Sequence, residues 1–348
     1  MILGRSPPNA AVSAILSVTT PFFALILLGW WAARRQLLPA QAVPGLNSFV
    51  LYFALPALLL RFGWRTPVAT LFDPLLLGLY LVVGLAVVGL SVAWARARGV
   101  PGGDAAFGAL VAAFPNSGFM GVPLLVALLG PAAAGPVICT VLADMIVTSS
   151  VCVALSQALG GHGGNARAAV LRSLRGALSN PLPWAIGLGA LMGGLKLQLP
   201  APVTGIVNLL ADAASPVALF TIGAVLWRAT PHTGAHGEAL GPHRLARVVT
   251  PFRPVLPEVL LKLVLHPAGV WAGGRALQAA GLPLGDAALL ALTLTAALPS
   301  ASNVALLTER YGADTARVAR IILASTLLAF ASFSGLARWL VTAAPSGA

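Results

Sequence analysis

One stretch limits what this chain can fold into: Phe114-Pro115-Asn116-Ser117-Gly118-Phe119-Met120-Gly121-Val122-Pro123, set inside an apolar segment running from about residue 104 to 130. Proline removes a backbone donor and clashes with the preceding turn, and glycine weakens helix persistence. Two of each within nine residues therefore predict a broken helix. Pro115 lies eleven residues after Asp104, about 16 Å along a helix and close to half of a hydrocarbon core about 30 Å thick. Lipid cannot satisfy the polar backbone exposed there, so the break must face protein or a water-filled cavity. The design recurs late in the chain. Asp286-Ala287-Ala288 echoes Asp104-Ala105-Ala106, and Ala297-Leu298-Pro299-Ser300-Ala301-Ser302-Asn303 echoes the proline-led interruption. Two interrupted apolar segments in matching places of two halves point to the binding site of a transporter.

The rest of the chain agrees with a membrane setting. Of 348 residues, 58% are hydrophobic and 9% charged, with a mean hydropathy of +0.90, which is too apolar for a soluble domain of this size. The net charge of +12 does not signal a nucleic-acid partner, because the basic residues are scattered singly between apolar runs. Cys139 and Cys152 lie thirteen residues apart in one apolar run and cannot bond each other along a helix. The apolar run after the first ten residues is long enough to span and shows no cleavage signal, so it reads as a retained first span.

Apolar runs bounded by charge, proline and glycine fall at about 11 to 33, 44 to 61, 71 to 95, 104 to 130, 134 to 158, 180 to 199, 203 to 227, 255 to 280, 286 to 309 and 315 to 341. The fold expected is thus all-α, with ten transmembrane helices. Fourteen arginines lie on the side that joins spans one to two, three to four, five to six, seven to eight and nine to ten; six basic residues lie on the other. The positive-inside tendency then puts both termini outside. Five spans per half make the second half upside down relative to the first, an inverted repeat with broken helices four and nine. The division is residues 1–158, a cytoplasmic linker over 159–179, and residues 180–348. Val170, Leu171, Leu174 and Leu178 give the linker one apolar face, so it reads equally as a surface helix or a solvated connection. His232, His236 and His243 lie in a loop of about 229 to 254 without cysteines or clustered carboxylates, so no metal site is expected.

Pro115-Asn116-Ser117 followed by Met120-Gly121-Val122-Pro123-Leu124-Leu125 resembles the fourth-helix signature of the auxin efflux carrier family. Ala297-Leu298-Pro299 with Glu309-Arg310-Tyr311-Gly312 is similar to that family's ninth helix, though residues 300–303 contain no glycine. The resemblance covers essentially the whole chain and is to the compact bacterial branch, which implies a bacterial inner (plasma) membrane. It also implies two crossed helices at a pseudo-symmetry centre, a helix bundle moving against a scaffold, and organic anions as substrates. No cofactor is expected. A homodimer is left open.

The residues support part of that picture by themselves. Each break frees the N-terminus of a half-helix at mid-depth, where unpaired amides and the positive dipole end favour a carboxylate. Pro115, Asn116, Ser117 and Gly118 from the first break, with Pro299, Ser300, Ser302 and Asn303 from the second, are the candidate substrate-binding residues. The alternative is that these side chains only cap the broken helices. Asp144 is a lone carboxylate about ten residues into its span, on one stripe with Thr140 and Thr148. A charge is costly at that depth, which makes Asp144 the candidate for proton coupling, or a residue that only fixes local geometry by hydrogen bonding. Asp212, with Asn208 and Ser215, is the second candidate. Protons and sodium both remain open as coupling ions. Glu258 and Lys262 are spaced to pair along their helix, near enough its cytoplasmic end for Lys262 to snorkel. The function expected is a secondary transporter of a small organic anion. Its rivals are a membrane anion receptor that does not transport, and an intramembrane enzyme, for which only His266 lies near a span.

Overall fold

The computed structural model describes residues 8–39, 41–71, 73–160, 178–229 and 250–343, with 171, 175 and 176. The three loop histidines and two thirds of the 159–179 linker lie outside these. The described residues form helices throughout, named here α1 (Pro8–Arg34), α2 (Ala42–Arg65), α3 (Pro74–Ala97), α4 (Gly102–Ala113), α5 (Ser117–Leu129), α6 (Pro131–Leu159), α7 (Pro181–Gly194), α8 (Ala201–Ala229), α9 (Phe252–Ala279), α10 (Asp286–Ala296), α11 (Val304–Arg310) and α12 (Thr315–Ala343).

Among the described residues seven helices are long and apolar enough to cross a membrane, namely α1, α2, α3, α6, α8, α9 and α12. The fourth apolar run is divided into α4 and α5, and the ninth into α10 and α11, as the prolines predict. The sixth is a single helix of 14 residues, α7. Pro181 starts it behind the side-chain cap of Asn180, and it ends at Gly194, two residues before Lys196, whose φ of 53° is left-handed.

One local closure recurs at several helix ends. The chain leaves α1 through Gln36 (φ 59°) and α7 through Lys196. In both exits two amides fold back onto the last turn, Gln36 N on Ala33 O and Leu37 N on Ala32 O in one, Lys196 N on Gly193 O and Leu197 N on Met192 O in the other. This is the Schellman closure of a helix C-terminus. Gly99 and Gly281, at φ 76° and 81°, end α3 and α9 with the same closure.

Four helices contain a π turn: Val50–Ala54 in α2, Ser117–Gly121 in α5, Ala143–Thr148 in α6 and Leu261–Leu265 in α9. Three of them end two residues before a proline, at Pro56, Pro123 and Pro267. The missing proline amide leaves a carbonyl without its usual partner, and the ladder shifts to the wider π spacing. The fourth has no proline. There the Asp144 carbonyl accepts the Ser149 amide and also the Ser149 hydroxyl at 2.8 Å.

The helices sort into two packed groups. In one, α1 lies on α8 and α2 lies on α7 and α8; in the other, α3, α4 and α6 pack with α9, α10 and α12. The α1–α8 crossing is close because each helix offers a glycine to the other's backbone. A Cβ at Gly29 would sit 1.8 Å from Phe220 O, and one at Gly223 would sit 1.9 Å from Ile26 O. Small residues that let backbones meet are what hold helices together where lipid removes the hydrophobic drive. The groups meet mainly where α1 touches α5 and α12, and where α2 and α8 touch the start of α5.

Candidate functional site

The two interruptions meet. Pro115 and Ser300 form an isolated antiparallel bridge, in which Asn116 N donates to Pro299 O at 2.8 Å and Ala301 N donates to Phe114 O at 3.0 Å. Backbone groups that each break would strand in lipid therefore satisfy each other, the accounting that buried polar backbone requires. Ser325 of α12 completes the closure, its hydroxyl accepting from Ser300 N at 3.1 Å. Asn116, Ser117, Ser300 and Ala301 are buried, while Gly118, Phe119, Ser302 and Asn303 are half-buried along the edge of the crossing. Leu55 of α2 lies beside Gly118, 3.7 Å from where a Cβ would stand, so the other helix group borders the site here.

The geometry bears on whether the polar side chains are only caps. Asn116 and Asn303 occupy the N-cap positions of α5 and α11, yet neither makes a side-chain cap hydrogen bond. The Asn116 backbone is consumed, its carbonyl accepting from Met120 N at 3.1 Å and Gly121 N at 3.0 Å. Its carboxamide is what the residue has left to offer. Ser300 Oγ and Asn303 Oδ1 are buried without a hydrogen-bond partner among the described residues. The two half-helices differ more than the sequence echo implies. The first restarts at once at Ser117, with Gly118 and Phe119 in a first turn that has no intrahelical acceptor for its amides. The second passes through a turn at Ser302 and Asn303 before a helix of only seven residues.

A second polar cluster lies beside the crossing. Asp144 is 1% exposed and accepts the Tyr80 hydroxyl of α3 at 2.7 Å and the Thr148 hydroxyl at 3.0 Å. Thr140, expected on the same stripe, instead donates to Val137 O within its own helix. Lys262 differs most from expectation. It is fully buried, and its Nζ donates to Ala296 O at 2.6 Å, at the last residue of α10. Rather than snorkelling beside Glu258, it reaches inward from the π turn of α9 to the end of α10. Glu258 pairs with Arg317 of α12. His266, also fully buried, lies with its ring 5.4 Å from that of Tyr80. The structure does not bring Asp212 to this cluster. Its side chain is 69% exposed and bonds Arg61 of α2 at 2.7 Å, with Asn208 Oδ1 3.5 Å from the same guanidinium. Spacing along one helix carried no signal for either cross-helix partner, Arg61 or Ala296. Among the described residues no group of His, Cys, Asp and Glu is arranged to hold a metal ion.

A family model described as membrane transport protein matches residues 14–163 and 165–336, nearly the full chain. The chain belongs to this family, that of the auxin efflux carriers. Family membership makes it an integral, multi-pass membrane transporter and not an enzyme. Among its relatives is a Rhizobium meliloti (strain 1021) protein named "Putative malonate transporter", 30% identical, with 93% of this chain and 95% of the relative covered. An "Uncharacterized transporter YfdV" of Escherichia coli (strain K12) is 24% identical over 89% of this chain and 92% of its own length. An "Uncharacterized transporter" of Methanothermobacter thermautotrophicus is 26% identical over 58% of this chain and 65% of its own length.

Proposed function

We propose that the chain is a secondary transporter that carries a small organic anion of the carboxylate class through the backbone crossing by alternating access. The observation that carries this reading is the bridge between Pro115 and Ser300, which closes the broken backbones on each other and leaves the Asn116 carboxamide and the first turn of α5 at its edge. A carboxylate there meets amide donors and the positive end of a helix dipole. Asn116, Ser117 and Gly118 contact it from one side, and Ser300, Ser302 and Asn303 from the other. Pro115 and Pro299 hold the crossing open to it. Division of the helices into two groups that meet at this point suits movement of one against the other. Asp144, buried beside the crossing, is favoured over the exposed Asp212 as the proton-coupling carboxylate. The relative's name makes malonate the first substrate to try. Uptake of labelled malonate and of other carboxylates into proteoliposomes tests this reading. Saturable binding without uptake would make the chain a receptor instead.

The same proposal includes ten spans in two inverted halves, residues 1–158 and 180–348 about the 159–179 linker, in a bacterial plasma membrane with both termini outside. The matched exits of α1 and α7 supply a test. Leu37 and Leu197 follow the same Schellman turn and are both exposed. Leu37→Cys should react with a membrane-impermeant thiol reagent only from the cytoplasmic side, and Leu197→Cys only from outside. Reaction of both from one face rules out the inversion.

A further inference from the structure

Lys262 belongs to no part of the site that the sequence suggested, and its placement is costly. A fully buried ammonium far from water is retained only where specific groups hold it. Its Nζ is held by Ala296 O at 2.6 Å. Ala296 ends α10, three residues before Pro299. Carbonyls at such an end lack amide partners because the helix stops, and they carry the negative end of the helix dipole. In transporters with broken helices, these half-helix C-termini are the groups that coordinate coupling cations. Here a cation is already attached to the chain.

Its surroundings set what it can do. From α6, Asp144 faces the same cluster: Tyr80 of α3 and Thr148 hold its carboxylate, and the Tyr80 ring lies 5.4 Å from that of His266. Cys139 and Cys152 of α6 are buried near Asp144. His266, one turn beyond Lys262 in α9, has no hydrogen-bond partner for either ring nitrogen among the described residues. From α10, Thr293 and Thr295 donate to their own helix. From α12, the nearby charge is Arg317, already tied to Glu258. From α4, Asp104 lies at the far end, accepting from Asp314 N at 2.7 Å.

We propose that Lys262 is a resident cation of the crossing, a positioning residue that takes the place of a transported sodium ion and, with Asp144, links anion occupancy to one proton. The proposal rests on the anion-transport reading above and specifies its coupling. With Asp144 ionised, its charge and that of Lys262 sum to zero and the crossing has little pull on an anion. When Asp144 takes a proton from water on the entry side, an O–H bond forms on the carboxylate as one breaks in hydronium. The Lys262 charge is then uncompensated, behind the carbonyl of Ala296, and attracts the anion. By reciprocity the bound anion favours the protonated carboxyl. After reorientation the anion leaves, and the proton returns to water on the other side.

The test uses the full chain, purified in detergent, with malonate as the probe, above the pH of malonate's own second ionisation. Wild type should lose affinity by up to about tenfold per pH unit, the slope of a single linked proton. It should take up one proton per anion bound, and should bind equally in sodium and potassium buffers. Asp144→Asn should bind with no pH slope and no proton uptake. The double variant Lys262→Met/Asp144→Asn, which removes one charge of each sign, should also show no slope and should bind at least tenfold more weakly than Asp144→Asn. Sodium-enhanced binding by wild type overturns the proposal without recourse to any variant. Proton uptake that persists in Asp144→Asn overturns it too, and if His266→Asn then abolishes that uptake the proton belongs to His266. Wild type that transports no carboxylate at all sinks the transport reading itself, whereas sodium-dependent malonate transport sinks only the role of Lys262.

Discussion

Asn116→Asp is expected to abolish binding of a carboxylate substrate while leaving the crossing intact. The backbone of residue 116, which makes the bridge to Pro299, is unchanged by the substitution, and the new side chain is nearly isosteric. What changes is a charge. Two carboxylates about 4 Å apart repel by about 4 kcal/mol at the effective dielectric of a partly solvated site, which corresponds to roughly a thousandfold loss of affinity. Asn116→Ala removes one hydrogen bond to a charged group, about 1.5–3 kcal/mol, so binding should weaken about ten- to hundredfold. Isothermal titration of both variants with malonate, beside thermal melts to verify folding, reads the two effects. Equal, unaltered affinities would return Asn116 to a purely structural place at the break.

The second large effect concerns stability. Glu258 is 1% exposed and its only salt-bridge partner among the described residues is Arg317, itself buried over the backbone of Gly108 in α4. The pair ties the starts of α9 and α12 to α4. Arg317→Met leaves a buried carboxylate without its counter-charge and should lower stability by about 3–5 kcal/mol, read as a fall in the melting midpoint in detergent. Removing both charges, as Glu258→Met/Arg317→Met, should restore most of the loss, because apolar side chains of similar volume replace a buried pair at little cost. An equal loss in the single and double variants would assign the effect to packing against Gly108 rather than to charge.

What the sequence determined by itself is local. A proline cannot donate a backbone hydrogen bond wherever it sits, so the breaks at Pro115 and Pro299 were legible without knowing any neighbour. Apolar run length located the helices α1, α2, α3, α6, α8, α9 and α12, since burial in lipid is a property of the run itself. The π turns before Pro56, Pro123 and Pro267 follow from the same missing amide, though apolar run length gives no sign of them. What tertiary structure decided is which distant groups meet. Asn116 finds Pro299 and Lys262 finds Ala296 across intervals that no helical period spans. A buried polar group is bound to acquire a partner, but the rotation of each helix and the neighbour it packs on choose which one. For that reason Lys262 read from sequence as a surface-seeking side chain paired with Glu258, and became in the fold a buried cation on a broken helix. Asp212 followed the opposite course: its stripe with Asn208 and Ser215 suggested an interior site, and the packing of α8 on α2 turned it outward to Arg61.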